Sequence, residues 1–352
     1  MISELGAKAK QLLIDLINTP SFSGEEDQTA SIIGNFLKDQ GVPFKREMHN
    51  IWAVNKNFDV AKPNILLNSH HDTVRPNKGY TRDPHKAETI DGKIYGLGSN
   101  DAGGCLVSLI ATFIHFYKKE DLKYNLILLA SAEEENSGED GIRSMIPMMP
   151  EIDFAIIGEP TLMHLAIAEK GLLVLDCYAH GTTGHAAHVR EDNSIYKAMK
   201  AVAWFESFKF AKLSETLHDT KMTVTQINAG SQHNVVPSTC HFVVDIRVND
   251  LYSNQEVLDL VKDHVEVEVK ERSLNLNSSS IPKDHEIVLA GIHLGRKVYG
   301  SPTLSDQANL TCPSLKLGPG DSLRSHTADE FIYEKEIFEG IDLYIKILKE
   351  IL

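Results

Sequence analysis

The sequence predicts an α/β fold, a large domain built on a sheet and its helices, with a smaller α+β domain inserted into it. Short apolar runs suited to buried strands, Ile65 to Asn68, Asn125 to Ala130 and Phe154 to Ile157, are interleaved with stretches of helical period. Each of these runs ends in histidine or acid, and α/β sheets place their chemistry just beyond the carboxyl ends of their strands. From Glu169 to about Asn277 the texture changes to strands and helices without regular βαβ succession, which predicts a separate α+β unit. A chain of 352 residues is long for one domain. Residues 1–169 with 278–352 are therefore assigned to the larger domain and 170–277 to the insert.

Composition narrows the function. A net charge of -14 supplies no basic excess for nucleic acid or an anionic membrane surface. The amino-terminal residues carry no apolar core of signal-peptide type, and no run of about 18 apolar residues occurs, so a cytoplasmic protein is expected. Cys105, Cys177, Cys240 and Cys312 lie far apart, which fits reduced thiols better than a disulfide or zinc-thiolate framework. Any metal must then be held by histidines and carboxylates.

In chain order, Ser3 is placed to cap a helix with Leu5, Leu12, Leu13, Leu16 and Ile17 on its apolar face, ending before Pro20. Ser23-Gly24-Glu25-Glu26 has the capping-box pattern ahead of Ala30, Ile33, Phe36 and Leu37, and Gly41 is the expected stop. A strand is expected over about Phe44 to Val54 and a second over Ile65 to Asn68, followed by a long polar loop from Arg75 to Lys93 that could rim a site. At the end of the second strand His70 and Asp72 share a face while His71 points away, so Asp72 is placed to orient a ligating His70. Tyr95 to Gly104 is a glycine-rich loop opening a buried helix, Cys105 to Ala111. It lacks the Lys-Ser/Thr ending of a P-loop and the dinucleotide spacing, and its glycines allow the close backbone approach that would turn Asp101 inward.

The strand Asn125 to Ala130 runs into Glu133-Glu134-Glu135, the strand Phe154 to Ile157 into Glu159, and Gly318-Pro319-Gly320 leads to His326. Taken singly, each is equally well a solvated polar loop. Together they supply two histidines and three carboxylates, enough for two metals with three protein ligands each if Asp101 bridges: His70, Asp101 and Glu159 for one, Glu135, Asp101 and His326 for the other. That leaves each metal an open position for a shared water, as catalytic sites require, and leaves Glu134 free as general base.

The set His70-His71-Asp72-Thr73-Val74, Gly98-Ser99-Asn100-Asp101, Glu134-Glu135, Gly158-Glu159-Pro160-Thr161 and His326-Thr327-Ala328-Asp329-Glu330 resembles, in order and over nearly the whole chain, the two-zinc aminoacylase and carboxypeptidase family. The chain's loops resemble those of its acetylornithine deacetylase-like members. The resemblance implies a zinc-peptidase-like catalytic domain, a central mixed sheet between helices, and an insert that serves as lid and homodimer contact. It implies two Zn²⁺, replaceable by Co²⁺, on the five ligands already counted, with Asp72 orienting His70 and Glu134 moving the proton. It also implies that His185, in Gly181 to His188, helps to hold the oxyanion and that Arg247 grips a substrate carboxylate. Asn234, Gly318 and Gly320 are assigned to the substrate beside them. The bridging loop lacks the Arg and Lys that many relatives carry near the aspartate, and Glu133 stands where Asp is common; neither change removes a ligand. The expected activity is hydrolysis of the amide of a small N-acyl amino acid, acetyl- or succinyl-ornithine or citrulline, in arginine biosynthesis. A dipeptidase or carboxypeptidase using the same site is the alternative enzyme, and a non-catalytic metal- or ligand-binding module the alternative from another class.

Overall fold

The structure is a computed structural model that describes residues 2–188 and 191–352. The chain divides into one unit of Met1–Ile167, Ser280–Tyr299 and Ser305–Leu352, and another of Ala168–Ser279 with Gly300–Leu304.

In the first unit a mixed sheet runs in the order Lys45–Glu47, Asn50–Val54, Asn125–Ser131, Asn64–His70, Phe154–Ile157, Ser314–Lys316, Leu165–Glu169. The four strands from Asn125–Ser131 to Ser314–Lys316 are mutually parallel, and the outer pairs are antiparallel. The apolar runs have their composition because both faces of these strands are covered. Ile65, Leu67, Leu126, Leu128 and Ile156 face a core shared with the helices Ile2–Ile17, Asp27–Asp39, Gly104–Phe116 and Glu334–Ile351. Leu66, Ile127, Leu129 and Ile157 face a smaller cluster with Ile142, Met145 and Leu310. Register fixes what stands together at the carboxyl end: His70 lies opposite Ser131, Asn68 opposite Ile157, and Ile157 opposite Lys316. The chain leaves those ends directly into His71-Asp72, Ala132 to Glu135, Gly158-Glu159 and Leu317-Gly318.

Several local expectations are corrected. The first helix begins at Ile2, so Ser3 sits inside its first turn rather than in the cap. The Ser23–Glu26 pattern forms no capping box: Glu26 precedes the Asp27–Asp39 helix without bonding its amides, and Ser23 Oγ donates instead to Asp72 Oδ2 at 2.7 Å. Gly41 does close that helix, at φ 72°, where L side chains are disfavoured. The expected Phe44 to Val54 strand is a hairpin, turning at Met48 with φ 52° between Lys45–Glu47 and Asn50–Val54. The Arg75 to Lys93 stretch is not all loop, since Glu88–Ile90 and Lys93–Tyr95 pair in a small sheet with Phe331–Tyr333.

The second unit is an antiparallel sheet in the order Lys221–Ala229, Thr239–Val248, Gly171–His180, Glu268–Glu271. Alternate residues Leu173, Leu175, Cys177, Phe242, Val244 and Ile246 form its core with Ala198, Phe205, Val257 and Val261 of the helices Ser194–Ser207 and Asn254–His264. Asn193 caps the first of these helices, and Ser253 with Glu256 forms a capping box on the second. Among the described residues, no helix is long and apolar enough to cross a membrane.

Candidate metal centre and active site

His70, the last residue of its strand, is buried, and its Nδ1 lies 3.0 Å from the backbone carbonyl of Asp72 and 3.4 Å from Asp72 Oδ1. A proton on Nδ1 that donates to this carbonyl leaves the Nε2 lone pair facing forward. Nε2 is buried, has no hydrogen-bond partner, and lies 3.4 Å from Asp101 Oδ1 and 3.8 Å from Glu159 Oε1. His71 faces the other way, with Nδ1 2.9 Å from Thr29 Oγ1 and Nε2 3.0 Å from the His49 carbonyl.

On the other side of Asp101, His326 Nε2 lies 3.1 Å from Glu135 Oε2 and 3.8 Å from Asp101 Oδ2. The ligating atoms of His70, Asp101 and Glu159 all lie within 4.8 Å of one another, as do those of Asp101, Glu135 and His326. Asp101 belongs to both groups, one oxygen toward each histidine. Glu134 belongs to neither, although its Oε2 is 4.0 Å from His70 Nε2. These donors, imidazole nitrogen and carboxylate oxygen with no thiol, fit two divalent cations, and the unpartnered Nε2 of His70 is the atom that most requires one.

The electrostatics agree. Burial opposes a charge on His70, yet Asp101, Asp72 and Glu134 outweigh it and push its pKa well above the ordinary histidine value. Burial, and then the charge of Asp101, push Glu159 up to about 8. Burial also lifts Glu134 far above the usual carboxylate range, with Glu159, Asp306 and Glu135 adding to it. The hydrogen bond to Glu135 carries His326 up to about 9. So many acids in so small a volume are unfavourable for the chain by itself.

Backbone amides hold the acids in place. Asp72, besides facing His70, accepts from the amides of Glu134 and Glu135, both at 3.1 Å. Glu330 is buried and accepts from Gly98, Asn100 and Asp101 at 3.3, 2.8 and 2.9 Å, which fixes the turn that presents Asp101. Burial and the charge of Asp101 push Glu330 up to about 8. Asp306, also buried, accepts from Asn68 and Ser131 at 2.9 and 2.6 Å and so ties the His70 strand to the Glu134 strand. No motif or periodicity marks Asp306 in the sequence, and Glu330 stood in the His326 motif without a role.

Gly318 and Gly320, assigned to substrate, sit where side chains would collide. A Cβ on Gly318 would lie 2.5 Å from the Glu159 carbonyl and 2.6 Å from Cys105 Sγ. One on Gly320, at φ 88°, would lie 2.4 Å from Asn100 Oδ1. The two glycines bring the loops of Glu159 and Asp101 close together.

His185, Asn234 and Arg247 belong to the second unit. His185 is exposed and pairs with Val235 in a short bridge, where the Ala186 amide donates to the Asn234 carbonyl at 3.0 Å. Arg247 already uses its planar fork: Nε and Nη2 donate to Asp245 at 2.9 and 3.1 Å.

A succinyl-diaminopimelate desuccinylase from Rickettsia bellii is 26% identical over 380 residues, covering 97% of this chain and 96% of its own. An acetylornithine deacetylase from Shigella sonnei is 28% identical over 370 residues, 95% of each chain. A [LysW]-lysine/[LysW]-ornithine hydrolase from Sulfurisphaera tokodaii is 25% identical over 360 residues, 98% of this chain and 96% of its own. Among solved structures, an M20 family metallo-carboxypeptidase from Sulfolobus solfataricus superposes with a TM-score of 0.78 at 18% identity, over 98% of this chain and 99% of its own. A dinuclear metal-binding M20 peptidase from Bacillus subtilis does so with a TM-score of 0.74 at 14% identity, over 99% and 98%. Residues 66–350, which carry every acid and histidine of the two groups above, match the family described as Peptidase family M20/M25/M40, and the chain belongs to that family.

Proposed function

We propose that this M20-family hydrolase removes an acetyl or succinyl group from the amine of an amino acid of ornithine or citrulline type, as arginine biosynthesis requires. The observation that carries the reading is the pair of three-residue groups sharing Asp101, with the Glu134 carboxylate beside them and in neither. The similar proteins, a succinyl-diaminopimelate desuccinylase, an acetylornithine deacetylase and a [LysW]-lysine/[LysW]-ornithine hydrolase, support the substrate class.

His70, Asp101 and Glu159 would hold one divalent cation and Glu135, Asp101 and His326 the other, zinc in this reading, with cobalt able to replace it. Bound there, the pair supplies Lewis acidity to water and to the acyl oxygen. Asp72 keeps the proton of His70 on Nδ1 and orients the ring. Glu134 takes a proton from the attacking water as the new C–O bond forms at the acyl carbon, and gives it to the amine nitrogen as the C–N bond breaks. The products are the free carboxylate and the free amine. Burial raises the proton affinity of Glu134, which suits a group that must accept a proton and return it near neutral pH. From the second unit, His185 serves the developing oxyanion and Arg247 the substrate's α-carboxylate.

The second unit is also the homodimer contact in this proposal. The Lys221–Ala229 strand lies at the edge of its sheet with most of its residues exposed, and Ile227, Val235, Tyr196 and Met199 are exposed apolar groups of the same unit. Sedimentation of the purified chain tests that contact.

Metal analysis together with a hydrolysis panel tests the activity. Two equivalents of metal and turnover of acetyl- or succinyl-ornithine or citrulline are expected. Turnover of dipeptides in preference would make the chain a peptidase with this site. Metal binding without any hydrolysis would make it a binding module.

A further inference from the structure

Glu26 lies ahead of the residues that match the family, and its carboxylate is fully buried. A buried carboxylate is costly unless fixed donors satisfy it. A helix cap would explain its place, but the side chain makes no bond to the helix that follows. Its oxygens are directed elsewhere: Oε1 accepts from the amides of Gly24 at 2.9 Å and Glu133 at 3.1 Å, and Oε2 lies 2.7 Å from His49 Nδ1.

The Glu133 amide is the first of three in succession that end on a buried carboxylate. Those of Glu134 and Glu135 both end on Asp72. The turn does not hold itself without strain, since Glu133 sits at φ 55°, in the left-handed region that non-glycine residues rarely adopt. The Glu134 side chain leaves the backbone between the two amides held by Asp72, and the amide held by Glu26 fixes the residue just before it.

We propose that Glu26 is a positioning residue for the base: with Asp72 it clamps the amides of Glu133 to Glu135 and sets the aim of the Glu134 carboxylate. The proposal rests on Glu134 being the base. Glu26→Gln keeps one acceptor oxygen and puts an NH₂ either toward the two amides or toward His49 Nδ1, and Glu26→Ala removes both acceptors. A displacement of the order of 1 Å in a reacting group costs on the order of a hundredfold in rate.

The test uses the metal-loaded full chain and whichever acyl amino acid of the panel it turns over fastest. Glu26→Gln is expected to lower kcat about tenfold and Glu26→Ala about a hundredfold, with KM within about twofold and metal content unchanged. In a Glu134→Gln background, Glu26→Gln should change kcat by less than about twofold, because a clamp has no effect once the group it aims is gone. Should Glu26→Ala fail to fold, Glu26→Gln and the double variant decide. An undiminished kcat in Glu26→Gln, an effect on KM or metal content instead, or a full multiplicative loss in the double variant would each overturn the role of Glu26. A Glu134→Gln protein with wild-type turnover would overturn the base assignment itself, and is distinguished from those results by the single variant alone.

Discussion

Loading the site with metal should release protons, and the number can be worked from the two groups. A histidine or carboxylate must be deprotonated to ligate. With Glu159 at about 8 and His326 at about 9, at pH 7 the first is roughly nine-tenths protonated and the second almost wholly so. Those two sites alone release close to two protons per chain, and His70, also raised, adds to them. Each proton released makes metal affinity about tenfold tighter per pH unit, or about 1.4 kcal/mol. The overall affinity for two cations should therefore strengthen roughly a hundredfold between pH 6 and 7, about tenfold at each group. Titration calorimetry of the chelated chain in buffers of different ionisation enthalpy counts the protons directly. The stability of the metal-free chain should move in the opposite sense. Glu159, raised from 4.5, keeps a proton in the folded state that the unfolded chain gives up, so stability falls as pH rises between about 4.5 and 8. His326, raised from 6.5, contributes stability that is complete below about 6.5 and lost as pH rises through about 9. Metal affinity independent of pH from 6 to 8, with no protons released, would refute the idea that these side chains are the ligands.

Glu134→Gln should keep its metal and lose a factor of roughly 10²–10⁴ in turnover, while Glu135→Gln should lose metal occupancy; the opposite pattern in paired metal analysis and kinetics would mean the two roles are exchanged. Arg247→Ala should raise KM for substrates with a free α-carboxylate and leave KM for their amidated analogues nearly unchanged. Asp245→Asn, which frees the fork, should lower KM for the carboxylate forms; equal effects on both substrate types would remove Arg247 from carboxylate binding. Gly318→Ala should destabilise by about 1–3 kcal/mol and weaken metal binding, because the added methyl meets the Glu159 carbonyl; an unchanged melting temperature and metal affinity would show that the loop yields without consequence.

The strands and their ends were legible because burial on both faces leaves little choice of residue: a run such as Leu126 to Ala130 has no solvent side to encode. The histidines and acids that the fold gathers into two groups were legible for a related reason, since their recurrence at the end of one apolar run after another has few structural uses. Local punctuation fared worse. Ser23 and Glu26 have the spacing of a capping box, but Asp72 takes the hydroxyl of Ser23 and the amide of Glu133 takes the carboxylate of Glu26, partners distant in sequence that outcompete the helix end. Met48 turns the first hairpin at positive φ without a glycine or asparagine to announce it. Asp306 and Glu330 act on backbone and side-chain amides brought to them by the fold, and an acceptor for a distant N–H leaves no periodicity to read.

These last residues explain how the chain tolerates its own site. Glu134, Glu159 and Glu330 are all pushed toward the neutral form by burial and by acidic neighbours, so the cluster works against folding. A chain selected for stability alone would have diluted those charges or replaced the buried ones with apolar groups. Instead, Glu330 is joined by two more buried carboxylates, Glu26 and Asp72, and each of the three accepts from amides of the turns that carry Glu134, Glu135 and Asp101. Amide donors cannot titrate, and their directions are fixed by the backbone. They can therefore hold acidic turns in register whether or not the acids they position are protonated. The sheet sets the distance between strand ends, and the amide clamps set the direction of the side chains. Between them they keep Asp101 facing both histidines, an arrangement that repulsion among the acids would otherwise open.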